Sequence, residues 1–450
     1  MQTSDLTQGN VSKILIGQGI PMIWGILAII SMNLADTFFV GQLGTNELAA
    51  MGFTFPVVMI MSSLAFGIGT GASSLIARAI GGNQLDEVRG YTTSAIVIAF
   101  FVAVIFALVG VLTIDPLFRL LGAPDDILPL IHDYMEVWYL GSILVVVPMV
   151  GNSAIRAAGN TKLPSYIMIS ISVVNVVLNP IFIFGWLGLP AMELKGAALA
   201  TVISYSVALM VSMYVLKVKL DFITLEHCYQ RLWMRWKAIL RIAIPASATN
   251  LISPISIAIT TWLVAGYSSD AVAGYGIAAR IESFMLIVLM ALSTVLTPFA
   301  GQNWGANRFD RLTEAVKLSF RFSWIWGVFV AILLWISADY LIGAFTQNPQ
   351  ALASAKNYLI IVPITFSFLG IVMMTSSIAN GIGNPLPALA FTVMRLLILY
   401  LPLVWGLSYF LGLQGIYLAT AIANLIVGVM AWYWSSRKCQ GASRAELTLQ

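Results

Sequence analysis

Charge is scarce in this 450-residue chain. Its 23 Lys and Arg and 19 Asp and Glu make up 9% of the residues, where soluble domains carry about 25%. With 59% hydrophobic residues and a mean hydropathy of +0.91, the apolar surface exceeds what a water-facing fold of this length buries. A bilayer has to cover the remainder. Cysteine and histidine are nearly absent too. Cys228 and Cys439 are too few and too scattered for a disulfide framework or a metal cluster, and read as free thiols. His132 and His227 fall at opposite membrane faces. No G-x-x-x-x-G-K-[ST] loop is present, which speaks against direct use of ATP, and no nucleophile or metal constellation stands out, which speaks against an enzyme. No cofactor and no metal is expected. The net charge of +4 does not point to nucleic acid, because the basic residues sit in short loops between apolar runs.

What the chain does have is apolar runs long enough to cross a bilayer, about 20 residues each. They lie at 14–40, 48–76, 91–114, 131–155, 164–187, 195–217, 238–265, 271–298, 320–338, 357–379, 386–411 and 414–436. Alternation at period 2 is absent, so helices are the only spanning structure that satisfies its own backbone. The expected class is an all-α integral membrane protein with twelve transmembrane helices. The first run is too long for a signal-peptide core and contains Asp36, so it is expected to stay in the mature protein. With the N-terminus inside, the outer loops hold only Arg119, Lys195 and Lys356, and Arg280 lies within a span; all other Lys and Arg, Arg395 included, fall on the inner side. Both termini are therefore placed in the cytoplasm, and the protein in the cytoplasmic (inner) membrane.

The chain repeats itself. An offset of 224 pairs Pro21 with Pro245, Gly81 with Gly305, Asn83 with Asn307, Asp86 with Asp310 and Gly159 with Gly383. Six spans per repeat is an even number, so the halves enter from the same side and are related by an axis along the membrane normal. The expected organisation is an N-terminal lobe at 1–217, an amphipathic interfacial linker at 218–237, a C-terminal lobe at 238–436 and a tail at 437–450. Two six-helix lobes around a central cleft are the architecture this implies, and alternating access its working cycle.

A charge in the lipid core costs roughly 2.5–3.5 kcal/mol on insertion scales, so each one calls for a reason. Asp36 lies about 6 Å from the outer end of span 1 at 1.5 Å per residue. Asn175 and Asn179 share a face of span 5 at i,i+4 spacing, as Thr201 and Tyr205 do on span 6. Asn179 and Thr201 lie about 12 and 9 Å from their outer ends, so these depths permit one polar cluster around Asp36. Desolvation disfavours the charged form of a carboxylate and suits it to carry a proton. The repeat places Thr260 opposite Asp36, which assigns this chemistry to the N-terminal lobe. Pro21 removes a backbone hydrogen bond inside span 1 and makes a hinge there possible. Arg280 and Glu282 both lie in span 8, but next-but-one neighbours on a helix point apart, so each needs another partner. A Glu282 facing the cleft suits a cationic substrate.

These residues resemble the multidrug and toxic compound extrusion (MATE) transporters, and within them the bacterial and archaeal DinF-type branch. The likeness runs from Ile14 to about Ser436. It rests on Pro21 with Asp36-Thr37 and Val40-Gly41-Gln42-Leu43-Gly44, on Gly81-Gly82-Asn83, on Arg156 to Lys162, on Gly196 to Thr201 and on Gly301 to Ala306. The resemblance implies an exporter of mostly cationic, amphiphilic drugs driven by inward flow of H⁺ or Na⁺. It further implies that Asp36 is the coupling acid, that Asn175, Asn179 and Thr201 join it, and that protonation bends span 1 at Pro21. Some relatives carry a second acid where this chain has Asn179. A single carboxylate favours protons over Na⁺.

Two other readings are weighed against this one. A flippase for lipid-linked or anionic substrates predicts several cations in the cleft, and Arg280 alone is thin support. A channel predicts a ring of like charges or a repeated filter motif, which is missing. The expected partners are small-molecule drugs and membrane lipids, and a monomer is the expected working unit.

Overall fold

The computed structural model describes residues 5–224 and 231–447, with side chains described through Arg437. His227 and Cys228 lie outside the described residues, as does the side chain of Cys439. Fifteen α-helices follow one another: α1 (Val11–Gly41), α2 (Thr45–Gly81), α3 (Leu85–Leu112), α4 (Ile114–Leu120), α5 (Leu128–Ala157), α6 (Lys162–Phe184), α7 (Glu193–Tyr214), α8 (Leu232–Ala265), α9 (Ser269–Gly305), α10 (Phe309–Gly343), α11 (Pro349–Ile361), α12 (Phe366–Gly381), α13 (Leu386–Val393), α14 (Tyr400–Leu411) and α15 (Leu413–Leu447). Among the described residues twelve spans are long and apolar enough to cross a membrane, with α11–α12 and α13–α14 each counting as one. The all-α, twelve-span class read from the sequence is the observed one.

Several helices outrun their apolar stretches. The 37-residue α2 and α9 reach about 55 Å at 1.5 Å per residue, beyond a hydrocarbon core of about 30 Å. Likewise α10 begins at Phe309 rather than near 320, because its first turns carry Asp310, Arg311, Glu314 and Lys317 and score as polar while keeping helical spacing.

The proposed linker and tail differ from the sequence-derived boundaries in the same way. The chain after α7 continues through a π-helical turn, Val215–Lys219, and α8 already begins at Leu232, so 232–237 are helix. Residues 225–230 lie outside the described ones. Beyond 437 the chain does not leave the helix, since α15 runs to Leu447.

Two compact units divide the chain. One holds Gly17–Ser247 with Met1–Leu6, the other Thr7–Ile16 with Ala248–Gln450. In the first, Trp138, Tyr139 and Phe118 are among the largest fully buried side chains. Phe106 meets the Trp138 and Tyr139 rings at 6.3 and 5.6 Å between centroids, in the tilted and edge-on packings aromatic quadrupoles prefer. In the second, the Tyr275, Tyr358 and Tyr417 rings close a triangle with centroids 5.6, 5.1 and 6.4 Å apart. Burial is uneven. The α5 span is 78% buried, whereas the α1 span is 17% buried, the smallest share of the twelve. Few residues of α1 are packed against the rest of the protein.

Candidate functional site

The polar residues of the first unit meet on three helices. Asp36 is 8% exposed, and Asn175 and Asn179 are fully buried. Asn179 Nδ2 donates to Asp36 Oδ1 and to Asn175 Oδ1 at 3.0 Å. Asn175 Nδ2 donates in turn to Thr201 Oγ1 at 3.2 Å, and the Thr201 hydroxyl donates to the Ala197 carbonyl at 3.2 Å. The chain of bonds runs from one helix to the next: α1, α6, α7. On it Asp36 is the only acid. Among the described residues no cation lies within ion-pair distance of its carboxylate. Asn179 Oδ1 is buried without a hydrogen-bond partner, which leaves an acceptor on the amide that already holds the carboxylate.

Local sequence explains why these groups coincide. Asn175 and Asn179 share a face of α6 at one-turn spacing, so the outer amide bonds the inner one. The α1–α6 pairing keeps one register: Asp36 bonds Asn179, Ser165 Oγ lies 3.5 Å from Met22 Sδ, and Thr161 Oγ1 donates to Gln18 Oε1 at 2.6 Å, each pair 143 residues apart. The helices therefore run parallel, tied at both ends, with Pro21 between the ties. Pro21 itself is half-buried inside an unbroken α1. The α6–α7 approach depends on Gly196, where a Cβ would lie 2.6 Å from the Phe182 carbonyl carbon and oxygen. We expect Gly196→Val to force α7 outward, lengthening the Asn175–Thr201 bond and costing about 1–3 kcal/mol as overpacking does; thermal unfolding of the detergent-solubilised protein measures it.

Tyr205, one turn beyond Thr201, is half-buried against the unit's core and lies within electrostatic reach of Asp36. Tyr134 on α5, 8% exposed, lies within the same reach. It escaped the sequence reading, since nothing in the periodicity of span 4 says which of its residues face span 1.

The second unit holds a cluster of its own. Tyr358 donates its hydroxyl to Glu282 Oε2, and Arg395 lies within electrostatic reach of that carboxylate. Arg395 Nη1 donates to Asn424 Oδ1 at 3.0 Å, Asn424 Nδ2 to Thr365 Oγ1 at 3.1 Å. Arg395 Nε is buried without a partner. Thr260, the counterpart of Asp36, shares a 2.7 Å hydrogen bond with the Tyr400 hydroxyl. One expectation changes here. Arg395, assigned by charge counting to the inner side, sits within a span, in the π-helical turn Met394–Leu399 between α13 and α14. Arg280 is exposed, and Glu282 finds its charged neighbour on the eleventh span. Among the described residues no group of three or more His, Cys, Asp or Glu is placed to hold a metal ion.

Comparison with known proteins places this geometry in a family. The MatE family profile matches residues 21–181 and 245–405, so its two matches begin at the paired prolines of the internal repeat, Pro21 and Pro245. An FAD transporter of Shewanella oneidensis is 38% identical over 97% of this chain and 96% of its own length. The probable multidrug resistance protein YoeA of Bacillus subtilis is 25% identical over 88% of both chains. Among solved structures, the MATE transporter VcmN of Vibrio cholerae in its bent form superposes with a TM-score of 0.90 at 30% identity, covering 98% of each chain. Repeat, spans and matches agree: this chain is a multi-pass membrane protein of the MatE family, the MATE multidrug efflux transporters, and is a transporter of small molecules rather than an enzyme.

Proposed function

We propose that the protein exports organic small molecules by antiport against protons, with Asp36 as the coupling acid. The observation that carries this reading is a lone, buried carboxylate held by one amide and facing no cation. Intramembrane acids of that kind act as proton carriers in transporters. The competing ion, Na⁺, asks for several oxygen ligands at once. Here Asn175 Oδ1 is taken by the Asn179 amide and Thr201 Oγ1 by the Asn175 amide, which supports protons. The bend at Pro21 belongs to the same reading: α1 is the least buried span, and Pro21 removes the bond to the Gly17 carbonyl, so protonation at Asp36 has a compliant helix to act on. We place the termini in the cytoplasm and the protein in the inner membrane as a monomer.

Reconstitution in liposomes tests the coupling. Efflux of a fluorescent cationic dye is followed under an imposed pH gradient, and separately under an imposed Na⁺ gradient. Drive by the pH gradient alone is the expected result, and drive by Na⁺ alone overturns it.

Two substrate readings are distinguished in the same assay. Cationic amphiphiles follow from the multidrug relatives. Phosphate-bearing flavin dinucleotides are favoured by the 38% identical FAD transporter and by Arg280 and Arg395 against the single acid Glu282 in spans of the second unit. If the dinucleotide is the cargo, Arg280→Gln, at an exposed position, lowers FAD efflux at least about tenfold, the weight of one charge-assisted contact to a phosphate, and leaves dye efflux unchanged.

A further inference from the structure

The boundary between the two compact units does not fall in a loop. It falls inside α1, between Ile16 and Gly17, and inside α8, between Ser247 and Ala248. Each of these helices therefore begins in one unit and finishes in the other. Shifted by the repeat offset, the segment 7–16 becomes 231–240, so the exchange is reciprocal, and the prolines of the repeat mark it. Pro21 follows the crossing in α1 and Pro245 precedes the crossing in α8.

Each exchanged start is gripped at the same place in the repeat, by opposite chemistry. In the second unit Arg311 of α10 is 7% exposed and is oriented by its Nε bond to Asn303 Oδ1 at 3.0 Å. Its Nη atoms donate to the carbonyls of Gly9 at 2.6 Å and Gln8 at 3.2 Å. The counterpart of Arg311 in the first repeat is Glu87 on α3. Glu87 takes Arg235 Nε at 3.4 Å and Arg231 Nη1 at 3.7 Å. Room for the guanidinium of Arg235 comes from Gly90, where a Cβ would lie 2.1 Å from Arg235 Cζ. Further along α8, Gly67 of α2 admits the Ala243 carbonyl and Ser247, a Cβ there falling 2.6 and 1.9 Å from their oxygens. Backbones brought that close by glycine are the tightest helix contacts in a membrane protein.

We infer that the starts of α1 and α8 are fixed handles: each stays fastened to its host unit by Arg311 or by Glu87 and the Gly67 notch throughout transport, so that α8 flexes beside Pro245 as the proposed function has α1 do beside Pro21. This inference rests on the alternating-access reading above. Rigid bodies that share a helix must bend it or release it, and hinges are a few residues that absorb the change. The handles decide for bending. Glu87 and Arg311 are thereby positioning residues that transmit motion into α8 and α1 and touch neither proton nor cargo.

The test bridges one handle covalently. In a background with Cys228 and Cys439 replaced by Ser, Glu87→Cys and Arg235→Cys are introduced and joined by a short bifunctional maleimide. Efflux is measured in proteoliposomes before and after bridging, under whichever ion gradient drives the cysteine-replaced parent. The expected result is that the unbridged double variant transports about fivefold more slowly than its parent, the scale of one partly exposed ion pair, and that bridging restores the rate. Arrest of efflux on bridging overturns the inference, because it means that the start of α8 has to detach. An unbridged variant as fast as its parent overturns it as well, because the ion pair then transmits nothing. Failure of the parent itself under every gradient and cargo is a separate result, which removes the transport reading. The folded state of each variant is followed by size-exclusion chromatography in detergent.

Discussion

Asp36→Asn is expected to abolish efflux driven by a pH gradient, with a loss of at least about a hundredfold, because under the proposed coupling position 36 has to gain and lose a proton and an amide cannot. The substitution is close to isosteric, and the Asn179 amide still has an oxygen to bond at position 36, so the protein is expected to fold and to reach the membrane in normal amount. A structural role and a coupling role separate on that point. Cells expressing the variant at wild-type level lose export, whereas a purely structural carboxylate would cost expression or thermal stability first. Binding of cargo by the purified variant is expected to persist, and that measurement distinguishes loss of coupling from loss of the binding site. Asn179→Leu is the informative companion. It removes the amide that donates to the carboxylate and leaves Asn175 Oδ1 without its partner; an unsatisfied buried acceptor costs about 1–3 kcal/mol. Partial transport at reduced stability is the expected outcome, measured by efflux and by thermal unfolding.

Arg395→Leu is expected to destabilise the second unit by about 1–3 kcal/mol, the cost of leaving the buried Asn424 oxygen without its donor. The reason lies in where the side chain sits. Span 11 is interrupted by the π-helical turn that carries Arg395, and span 10 by the 3₁₀ turn Pro363–Thr365. Asn424 on α15 joins the two interruptions, accepting from Arg395 and donating to Thr365, while Thr365 Oγ1 donates to the Val362 carbonyl at 2.8 Å. Removing the guanidinium leaves the Glu282 carboxylate without its opposing charge and Asn424 Oδ1 without a donor. Glu282→Gln keeps the bond from Tyr358 and is expected to cost less. Residues in one network do not contribute additively, so Arg395→Leu with Glu282→Gln loses less than the sum of the two singles, a difference that thermal unfolding of the four proteins measures. Additive losses would show that the two charges do not act on each other.

How much of the site is legible in the chain depends on the range of the signal. The spacing of Asn175 and Asn179 is a one-turn relation and survives in any helix. The depth of Asp36 follows from counting along a span, and Thr201 is reached by the same count. These residues do meet in the structure. Tyr134 lies within electrostatic reach of Asp36 as well, and neither spacing nor depth along the chain carries that. The proposed linker shows the converse: its polar composition reads as a break, whereas 232–237 are already the first turns of α8, because charged residues on one face keep a helix as intact as apolar ones do. Charge counting misplaces Arg395 for a related reason. The run 386–411 contains it, yet the tally by side credits it to the inner loops, because the π turn and the Asn424 bond that accommodate it within the span are tertiary facts.

Read alone, then, the chain establishes the quantities that are local or additive: a bilayer environment from composition, twelve helices from run length and the absence of strand alternation, and two lobes from a fixed offset of 224. It also singles out the one acid of span 1 with its amide neighbours, since a charge in lipid is costly enough to stand out. Which helices touch is settled only in three dimensions. Asn179 bonds Asp36 across 143 residues, Tyr358 bonds Glu282 across 76, and Glu87 takes Arg235 across 148. In lipid no hydrophobic gain selects one helix partner over another. The choice falls to close packing at small residues such as Gly196, Gly67 and Gly90 and to single hydrogen bonds, and these depend on a spatial fit that no periodicity along the chain records.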